Sequence, residues 1–150
     1  MGNYSTYRTV RITDVADIER AKKGKVYPAD CIMIGLSATK GQVEYVSYDR
    51  EIPTKWAVVI PNGKTIPKYL FYSVQHAFPA FVHSHLTGIN LQFEELQYLT
   101  VKLHPLEVQQ RIVHDFELIE AMEERERKEV EYLKKTKKSY LGRLFPNAHL

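Results

Sequence analysis

Two histidines, His83 and His85, form the only close pair of this residue type in the sequence. Side chains two residues apart on a strand point to the same side, so the pair could supply two nitrogen ligands to a metal ion. Together with nearby carboxylates, such a site could serve a small metal-dependent nuclease. No third ligand at a suitable spacing follows, and no HExxH pattern occurs. The nuclease is therefore the least favoured function, and we expect no metal site.

Basic side chains point to a different chemistry, the binding of phosphate groups. Three lysines surround Gly24, and residues 37–42 offer small hydrogen-bonding side chains together with one cation. Lysines of this kind hold phosphates, while Gln, Thr and Arg side chains reach the edges of bases. The candidate DNA-binding residues are Lys22, Lys23, Lys25, Ser37, Thr39, Lys40, Gln42, Tyr48, Arg50 and Lys55. The net charge of +3 is compatible with nucleic acid, but composition alone favours an ordinary charged surface.

The other reactive residue types do not form a catalytic set. Cys31 is the only cysteine and precedes the apolar run Ile32-Met33-Ile34, which predicts a buried strand residue rather than a nucleophile. The acidic residues between 117 and 131 alternate with Arg and Lys, as on a solvated helix face. We therefore expect no catalytic residue and no cofactor bound directly by the chain.

The composition changes once along the chain, near Pro105. The part before it is rich in Val, Ile, Tyr, Thr, Gly and Pro, whereas residues 106–141 contain no Gly or Pro. This change predicts an α+β (mixed α/β) globule at residues 1–104, one long helix at 105–145 and a tail at 146–150. No run of 18 apolar residues occurs and the N-terminus is polar, so we expect no membrane span and a cytoplasmic location.

Within the globule, periodicity and turn residues predict individual elements. Strands are predicted at residues 7–12, 30–36, 42–48 and 56–60, and the strand at 30–36 is expected to be buried on both faces. Helices are predicted at residues 15–21 and 66–74. Residues 78–81 are expected to be irregular, and residues 91–101 fit either a helix or a strand. The strand order does not follow from these patterns.

The long helix carries an apolar seam with alternating spacings of three and four residues. Its apolar members are Ile112, Phe116, Ile119, Val130, Leu133, Tyr140 and Leu144, and the same register includes Glu123, Glu126 and Lys137. Large apolar residues exposed together favour aggregation, so the seam is expected to pack against a second copy or a partner protein. A single solvated helix with many ion pairs is the alternative.

The segment from His104 to Val113, HPLEVQQRIV, resembles the "P-P-x-x-E-Q-x-x-I" signature of the specificity subunits of type I restriction–modification systems. Residues 10–18 are similar to the opening of that family's recognition domain, 68–74 to its "YLYYYL"-like helix, 88–91 to the stretch before the proline motif, and 133–145 to its helix terminus. Each motif is loose, but five in the same order are more specific than one. The sequence departs from the signature at Leu106, where the family has its second proline, and its glutamines are slightly shifted.

The resemblance implies a small target-recognition domain, with a twisted sheet and short helices, followed by a conserved helix that pairs in an antiparallel coiled coil. It implies a non-catalytic subunit that reads double-stranded DNA and carries methyltransferase (modification) subunits on its helix, with a restriction subunit as a further candidate partner. S-adenosylmethionine, ATP and Mg would then bind the partner subunits only.

Full specificity subunits carry two recognition domains and two helices, whereas this sequence has one of each. The resemblance therefore implies a half subunit, of which two copies could read two inverted half-sites as a homodimer. An interaction protein or decoy, which occupies methyltransferase subunits through its helix without reading DNA, is the alternative.

Overall fold

The computed structural model describes residues 4–37, 41–86 and 88–147. It is a mixed α+β fold with antiparallel sheets and a long C-terminal helix, which confirms the predicted class. The strands are β1 (Arg8–Arg11), β2 (Ala16–Arg20), β3 (Val26–Tyr27), β4 (Ile32–Gly35), β5 (Val43–Tyr45), β6 (Arg50–Glu51), β7 (Trp56–Pro61) and β8 (Thr100–Leu103). The helices are α1 (Ile12–Val15), α2 (Pro67–His85), a 3-10 helix (Phe93–Tyr98) and α3 (Leu106–Leu144).

A four-stranded antiparallel sheet forms the centre of the fold before α3, with the order β2-β7-β4-β5. The two inner strands, β4 and β7, carry the runs IMIG and WAVVIP. Side chains on a strand alternate between faces, so apolar runs of this kind require cover on both sides. All four residues of β4 are buried, as the sequence predicts. Two smaller pairs, β1–β8 and β3–β6, complete the strands of the described residues.

Each face of the central sheet has its own apolar core. On one face, Ile32, Ile34 and Val59 pack with the buried side of α2, including Leu70 and Phe78. On the other face, a second cluster joins residues of the inner strands with residues from the segments around β3 and β6; its buried members are Ala21, Tyr27, Cys31, Met33, Val46, Ile52 and Val58. Cys31 is buried there, as predicted. Buried apolar side chains thus cover both faces of the central sheet.

The helix predicted at residues 15–21 is wrong, because β2 occupies most of this segment. Residues 16–20 pair along their whole length with β7. Ala16 is buried and Ile18 packs against the core of the α2 face, whereas the alternate residues Asp17 and Glu19 do not join that core. The capping signal before this segment is satisfied within one short turn, α1, where the Asp14 carboxylate accepts a hydrogen bond from the Arg11 backbone at 3.0 Å. Pairing with β7 decides the structure of the rest.

The helix predicted at residues 66–74 is correct in position but too short, since α2 continues to His85. Residues 78–81, predicted to be irregular, lie inside it. Pro79 removes one helical hydrogen bond, but its neighbours Phe78, Phe81 and Val82 are all buried in the core of the α2 face. Their burial outweighs the local cost of the proline. The strand predicted at residues 42–48 is shorter, at Val43–Tyr45, and the ambiguous segment at residues 91–101 contains the 3-10 helix and the first two residues of β8.

The chain divides into two compact units, Met1–Val113 and His114–Leu150, so the first turns of α3 belong to the first unit. Val108 and Gln109 are buried there. At about 1.5 Å per residue, the whole of α3 is about 58 Å long. No helix in residues 4–37, 41–86 and 88–147 is long and apolar enough to cross a membrane.

Candidate nucleic-acid interface

Most of the candidate DNA-binding residues are placed at one end of the central sheet. Arg20 pairs with Ala57 and Gly35 with Trp56, so the end of β2, the end of β4 and the start of β7 lie side by side. The start of β5 joins them through a hydrogen bond from the Gly35 amide to the Gln42 carbonyl, at 2.9 Å. We call this region the basic end of the sheet. Its polar residues are Arg20, Lys22, Lys23, Lys25, Ser37, Gln42 and Lys55.

A tight turn between β2 and β3 holds the three lysines together. The Lys25 amide donates to the Lys22 carbonyl at 3.2 Å, and Gly24 has φ +80°. This left-handed conformation favours glycine, because a side chain would strain it. The short connection places Lys22, Lys23 and Lys25 within one turn rather than along a helix.

Glu19 compensates two of these three charges. Its carboxylate forms ion pairs with the Lys25 ammonium and with the Lys22 ammonium, the latter at 3.4 Å. The hydrogen bond from Lys25 holds the pKa of Glu19 below its ordinary value and raises the pKa of Lys25. Among the described residues, no carboxylate forms an ion pair with Lys23 or Lys55. These two are therefore the lysines with the most charge available to a phosphate.

A groove of about 240 Å³ opens at the same end of the sheet. Its polar lining comes from three strand ends and from the segment before the 3-10 helix; the polar residues are Arg20, Ser37, Lys55, Asn90 and Gln92. Backbone contacts hold the walls, since Ser37 bridges to Asn90 and the Leu91 amide donates to the Leu36 carbonyl at 3.1 Å. Guanidinium, amide and hydroxyl groups side by side are the set that reads base edges.

Arg20, Asn90 and Gln92 are absent from the residues predicted from the sequence. Arg20 was missed because its segment was assigned to a helix, where it would not reach a sheet end. A strand assignment for residues 16–20 together with its pairing to β7 would have been needed to place Arg20 near Lys55. Asn90 and Gln92 flank an apolar residue in a segment whose structure the sequence left open.

Tyr48 and Arg50 form a separate group on the small β3–β6 sheet. Arg50 pairs with Tyr27 across that sheet, and its guanidinium lies 5.8 Å from the centre of the Tyr48 ring. The Tyr48 ring is exposed. The groups around Lys25 and around Arg50 meet at Tyr27, whose ring centre lies 4.9 Å from the Lys25 ammonium. Thr39 and Lys40, also predicted, lie outside the described residues.

The histidines do not form the strand pair expected from their spacing. His83 and His85 lie in the last turn of α2, where residues two apart point in different directions. His85 stacks on Phe81, with ring centres 4.1 Å apart. In the part of the chain that the structure describes, no three His, Cys, Asp or Glu side chains come together as a metal site would need. The pair thus lacks the strand geometry that would point both rings to the same side.

The apolar seam of α3 is exposed over most of its length. Ile112 is half-buried in the first unit, whereas Phe116, Ile119, Val130, Leu133, Tyr140 and Leu144 are exposed, as are Leu118, Met122, Tyr132, Leu141 and Phe145. Leu133 and Leu144 expose 59% and 57% of their surface. Exposed apolar residues in a row of this length are typical of an interface with another protein.

Comparison with known proteins identifies the family. Residues 2–132 match the family model described as the type I restriction modification DNA specificity domain. The chain belongs to that family. No curated protein matches the sequence of the chain.

Solved structures of similar fold agree with this family. A chain from a structure on complex assembly and conformational transition of the type I R-M system is 19% identical, with a TM-score of 0.68, and the match covers 96% of this chain and 45% of the other. The type I restriction–modification S subunit from M. genitalium is 15% identical, with a TM-score of 0.68, over 97% and 47% of the two chains. The HsdS subunit from Thermoanaerobacter tengcongensis is 18% identical, with a TM-score of 0.61, over 81% and 39%. This specificity domain thus spans less than half the length of each of these three chains.

Proposed function

We propose that this specificity domain reads double-stranded DNA at the basic end of its central sheet and has no catalytic role of its own. The observation that carries the proposal is the convergence of Arg20, Lys23 and Lys55 with Ser37, Asn90 and Gln92 at one sheet end. Cations position a protein on the phosphate backbone, and amide and hydroxyl groups distinguish base edges in the grooves. Both kinds of group lie around the same groove of about 240 Å³.

The division of labour within the basic end follows from its charges. Lys23 and Lys55 are not engaged in the ion pairs that Glu19 makes, so their contact with a phosphate costs no existing interaction. Lys22 and Lys25 would have to exchange Glu19 for a phosphate. We therefore assign the main phosphate contacts to Lys23 and Lys55, and base contacts to Arg20, Asn90 and Gln92 in the groove.

The helix α3 supplies the second part of the proposed function. Its exposed apolar seam is suited to a second copy of the chain and to the methyltransferase (modification) and restriction subunits that the family relationship suggests. Two copies related by a twofold axis would read two inverted half-sites at a fixed separation. S-adenosylmethionine, ATP and Mg would then bind those partner subunits, where methyl transfer and cleavage take place.

A second candidate function rests on the same helix. The apolar seam of α3 requires a protein partner but does not require DNA. A decoy that occupies methyltransferase subunits would keep α3 and make no use of the basic end. Binding of DNA by the chain, and its dependence on salt, separates the two functions.

The experiment measures binding of the chain to a mixed-sequence DNA duplex by fluorescence anisotropy over a range of salt concentrations. Each phosphate contact contributes about −0.9 to the slope of log K against log salt. The double variant Lys23→Ala/Lys55→Ala should therefore reduce the steepness of this slope by about two.

The matched control is Lys64→Ala/Lys68→Ala. Lys64 follows the other end of β7, and the Lys68 ammonium lies 4.4 Å from the centre of the ring of Tyr45, which pairs with the first residue of β4. Both lysines are thus at the opposite end of the sheet. If the two double variants change the slope equally, the placement of the interface is wrong. A chain that binds no DNA but captures a methyltransferase subunit would support the decoy.

A further inference from the structure

Three charges interrupt the apolar seam of α3. Glu123, Glu126 and Lys137 occupy the same alternating spacing of three and four residues as the apolar members, within one uninterrupted helix. All three are exposed. Charges at seam positions are costly unless they are paired, so whatever covers this seam must compensate them. The positions of the charges therefore constrain the partner and its alignment.

A second copy in parallel orientation cannot compensate these charges. In a parallel pair at equal height, each seam residue faces itself, so Glu123 and Glu126 would oppose glutamates and Lys137 would oppose a lysine. Like charges at facing positions are unfavourable. An antiparallel pair instead brings residues near the middle of one helix against residues nearer the end of the other.

Only one antiparallel alignment with a long overlap pairs unlike charges. In an antiparallel pair, two seam residues face each other when their residue numbers add to a fixed sum. Moving one helix along the other by one heptad changes that sum by about seven and gives the neighbouring alignment. The alignment centred on residue 128 places all three charges against aliphatic side chains. The alignment one heptad toward the N-terminus places Glu126 against Glu123. The alignment one heptad toward the C-terminus places Glu126 against Lys137.

Within the antiparallel pairing of α3 that the family resemblance implies, we propose one alignment, in which Glu126 of each copy faces Lys137 of the other. The ion pair occurs twice because of the twofold symmetry. The remaining layers of this alignment join Leu133 with Val130, Ile119 with Leu144, and Glu123 with the hydroxyl-bearing Tyr140. At about 1.5 Å per residue, the overlap from Ile119 to Leu144 is about 38 Å long.

Two seam residues, Ile112 and Phe116, fall outside the overlap. Ile112 needs no cover from a second copy, because it is already half-buried in its own unit, whereas Phe116 stays exposed beside the end of the overlap. One flanking contact opposes the alignment, because Arg127 would approach Lys134 of the second copy at the edge of the seam. The ion pair of Arg127 with Glu124 within the helix reduces this cost.

The proposal rests on the homodimer of the proposed function, and the experiment separates the two. The chain and its variants are studied by sedimentation velocity at several concentrations, with circular dichroism to check helix content. The single variants Glu126→Lys and Lys137→Glu each create two like-charge layers. Each should raise the dimer dissociation constant at least about tenfold.

Combining the two changes should restore the dimer in two ways. The double variant Glu126→Lys/Lys137→Glu exchanges the charges and should regain the dissociation constant of the unmodified chain. An equimolar mixture of the two single variants should form a heterodimer, since one chain then carries two lysines and the other two glutamates. Glu131→Lys and Lys138→Glu, on the outer surface of the helix, are the matched controls and should leave association unchanged.

The alternatives give different patterns. In a parallel pair, the single variants carry as many like-charge layers as the unmodified chain, so they would associate equally well. In the alignment centred on residue 128, charge exchange would neither weaken nor restore the dimer. Either result overturns the alignment while the homodimer stands. An unmodified chain that stays at the 17.5 kDa of a monomer, or that associates only with a methyltransferase subunit, overturns the homodimer itself.

Discussion

The Gln109 side chain offers a direct test of how the start of α3 is held. It is 2% exposed. Its amide oxygen accepts a hydrogen bond from the Ile66 amide at 3.0 Å, and its amide nitrogen donates to the His104 carbonyl at 2.8 Å. One side chain thus joins the start of α2, the residue after β8 and the first turn of α3. We predict that Gln109→Leu, which keeps a similar volume but loses both hydrogen bonds, destabilises the first unit.

The expected loss follows from the two polar groups that the substitution leaves behind. A buried donor or acceptor without its partner costs about 1–3 kcal/mol. Two such groups, partly relaxed, predict a loss of about 2–4 kcal/mol in the free energy of unfolding. At about 2.1 cal/mol/K per residue, a unit of this size loses about 4 °C in Tm for each kcal/mol, so the Tm should fall by about 8–16 °C.

Trp56 makes the measurement specific. It is the only tryptophan of the chain and lies at the start of β7, inside the first compact unit. Its fluorescence during urea unfolding therefore reports on that unit and not on the exposed part of α3. The urea midpoint, at constant m-value, gives the change in stability.

Gln110→Leu is the matched control, because the same substitution one residue along affects an exposed side chain. It should change the free energy of unfolding by no more than about 0.5 kcal/mol. If Gln109→Leu and Gln110→Leu unfold at the same urea concentration, the two hydrogen bonds do not hold the joint and the reasoning fails.

Three further predictions concern the same unit. Tyr69→Phe should lower the free energy of unfolding by about 1–3 kcal/mol, because the hydroxyl accepts a hydrogen bond from the His104 amide at 3.0 Å and donates one to the Lys102 carbonyl at 2.8 Å. Tyr98→Phe, at an exposed ring, is the control and should cost little; equal urea midpoints of the two variants would contradict the prediction. Cys31 should react with a thiol reagent more than about a hundredfold more slowly in the native chain than in urea, because burial both shields the thiol and raises its pKa. Equal reaction rates in the two states would refute this prediction. Because the pKa of Glu19 is lowered, its pairing with Lys25 stabilises the fold above pH 4.5, and this stabilisation is lost as the pH falls through the lowered pKa. Glu19→Gln should therefore have a lower urea midpoint than the unmodified chain at pH 7 and an equal midpoint in strong acid. A difference that persists in acid would exclude the ion pair as its cause.

The inner strands and the long helix could be predicted from the sequence because their patterns carry the decisive energy. The apolar runs of β4 and β7 must be buried whatever surrounds them, and a stretch without Gly or Pro at residues 106–141 leaves helix as the natural structure. The segments that were predicted wrongly depend on distant partners. Residues 16–20 become a strand because β7 pairs with them, and Pro79 stays within α2 because its neighbours are buried.

The sequence predicted part of the polar cluster at the basic end of the sheet, and its role in DNA binding stays a prediction. Lysines near a turn can be recognised locally, so Lys22, Lys23 and Lys25 were found before their turn was known. Arg20 and Asn90 belong to the groove only because antiparallel pairing and a bridge to Ser37 bring distant segments to one sheet end. Such convergence is a property of the strand order, which the sequence pattern does not contain.

The family signature acquires a physical role from the structure. Of its residues, Val108 and Gln109 are buried, whereas Gln110 and Arg111, which follow directly, are exposed. Gln109 joins the first turn of α3 to the start of α2 and to the residue after β8, and neither buried residue lines the groove or the lysine turn. Substitution of Gln109 should therefore lower stability without changing the steepness of the salt dependence of DNA binding, whereas substitution of Lys23 and Lys55 should do the reverse. Under the proposed function, the signature therefore serves the stability of the first unit, and the basic end of the sheet serves DNA binding.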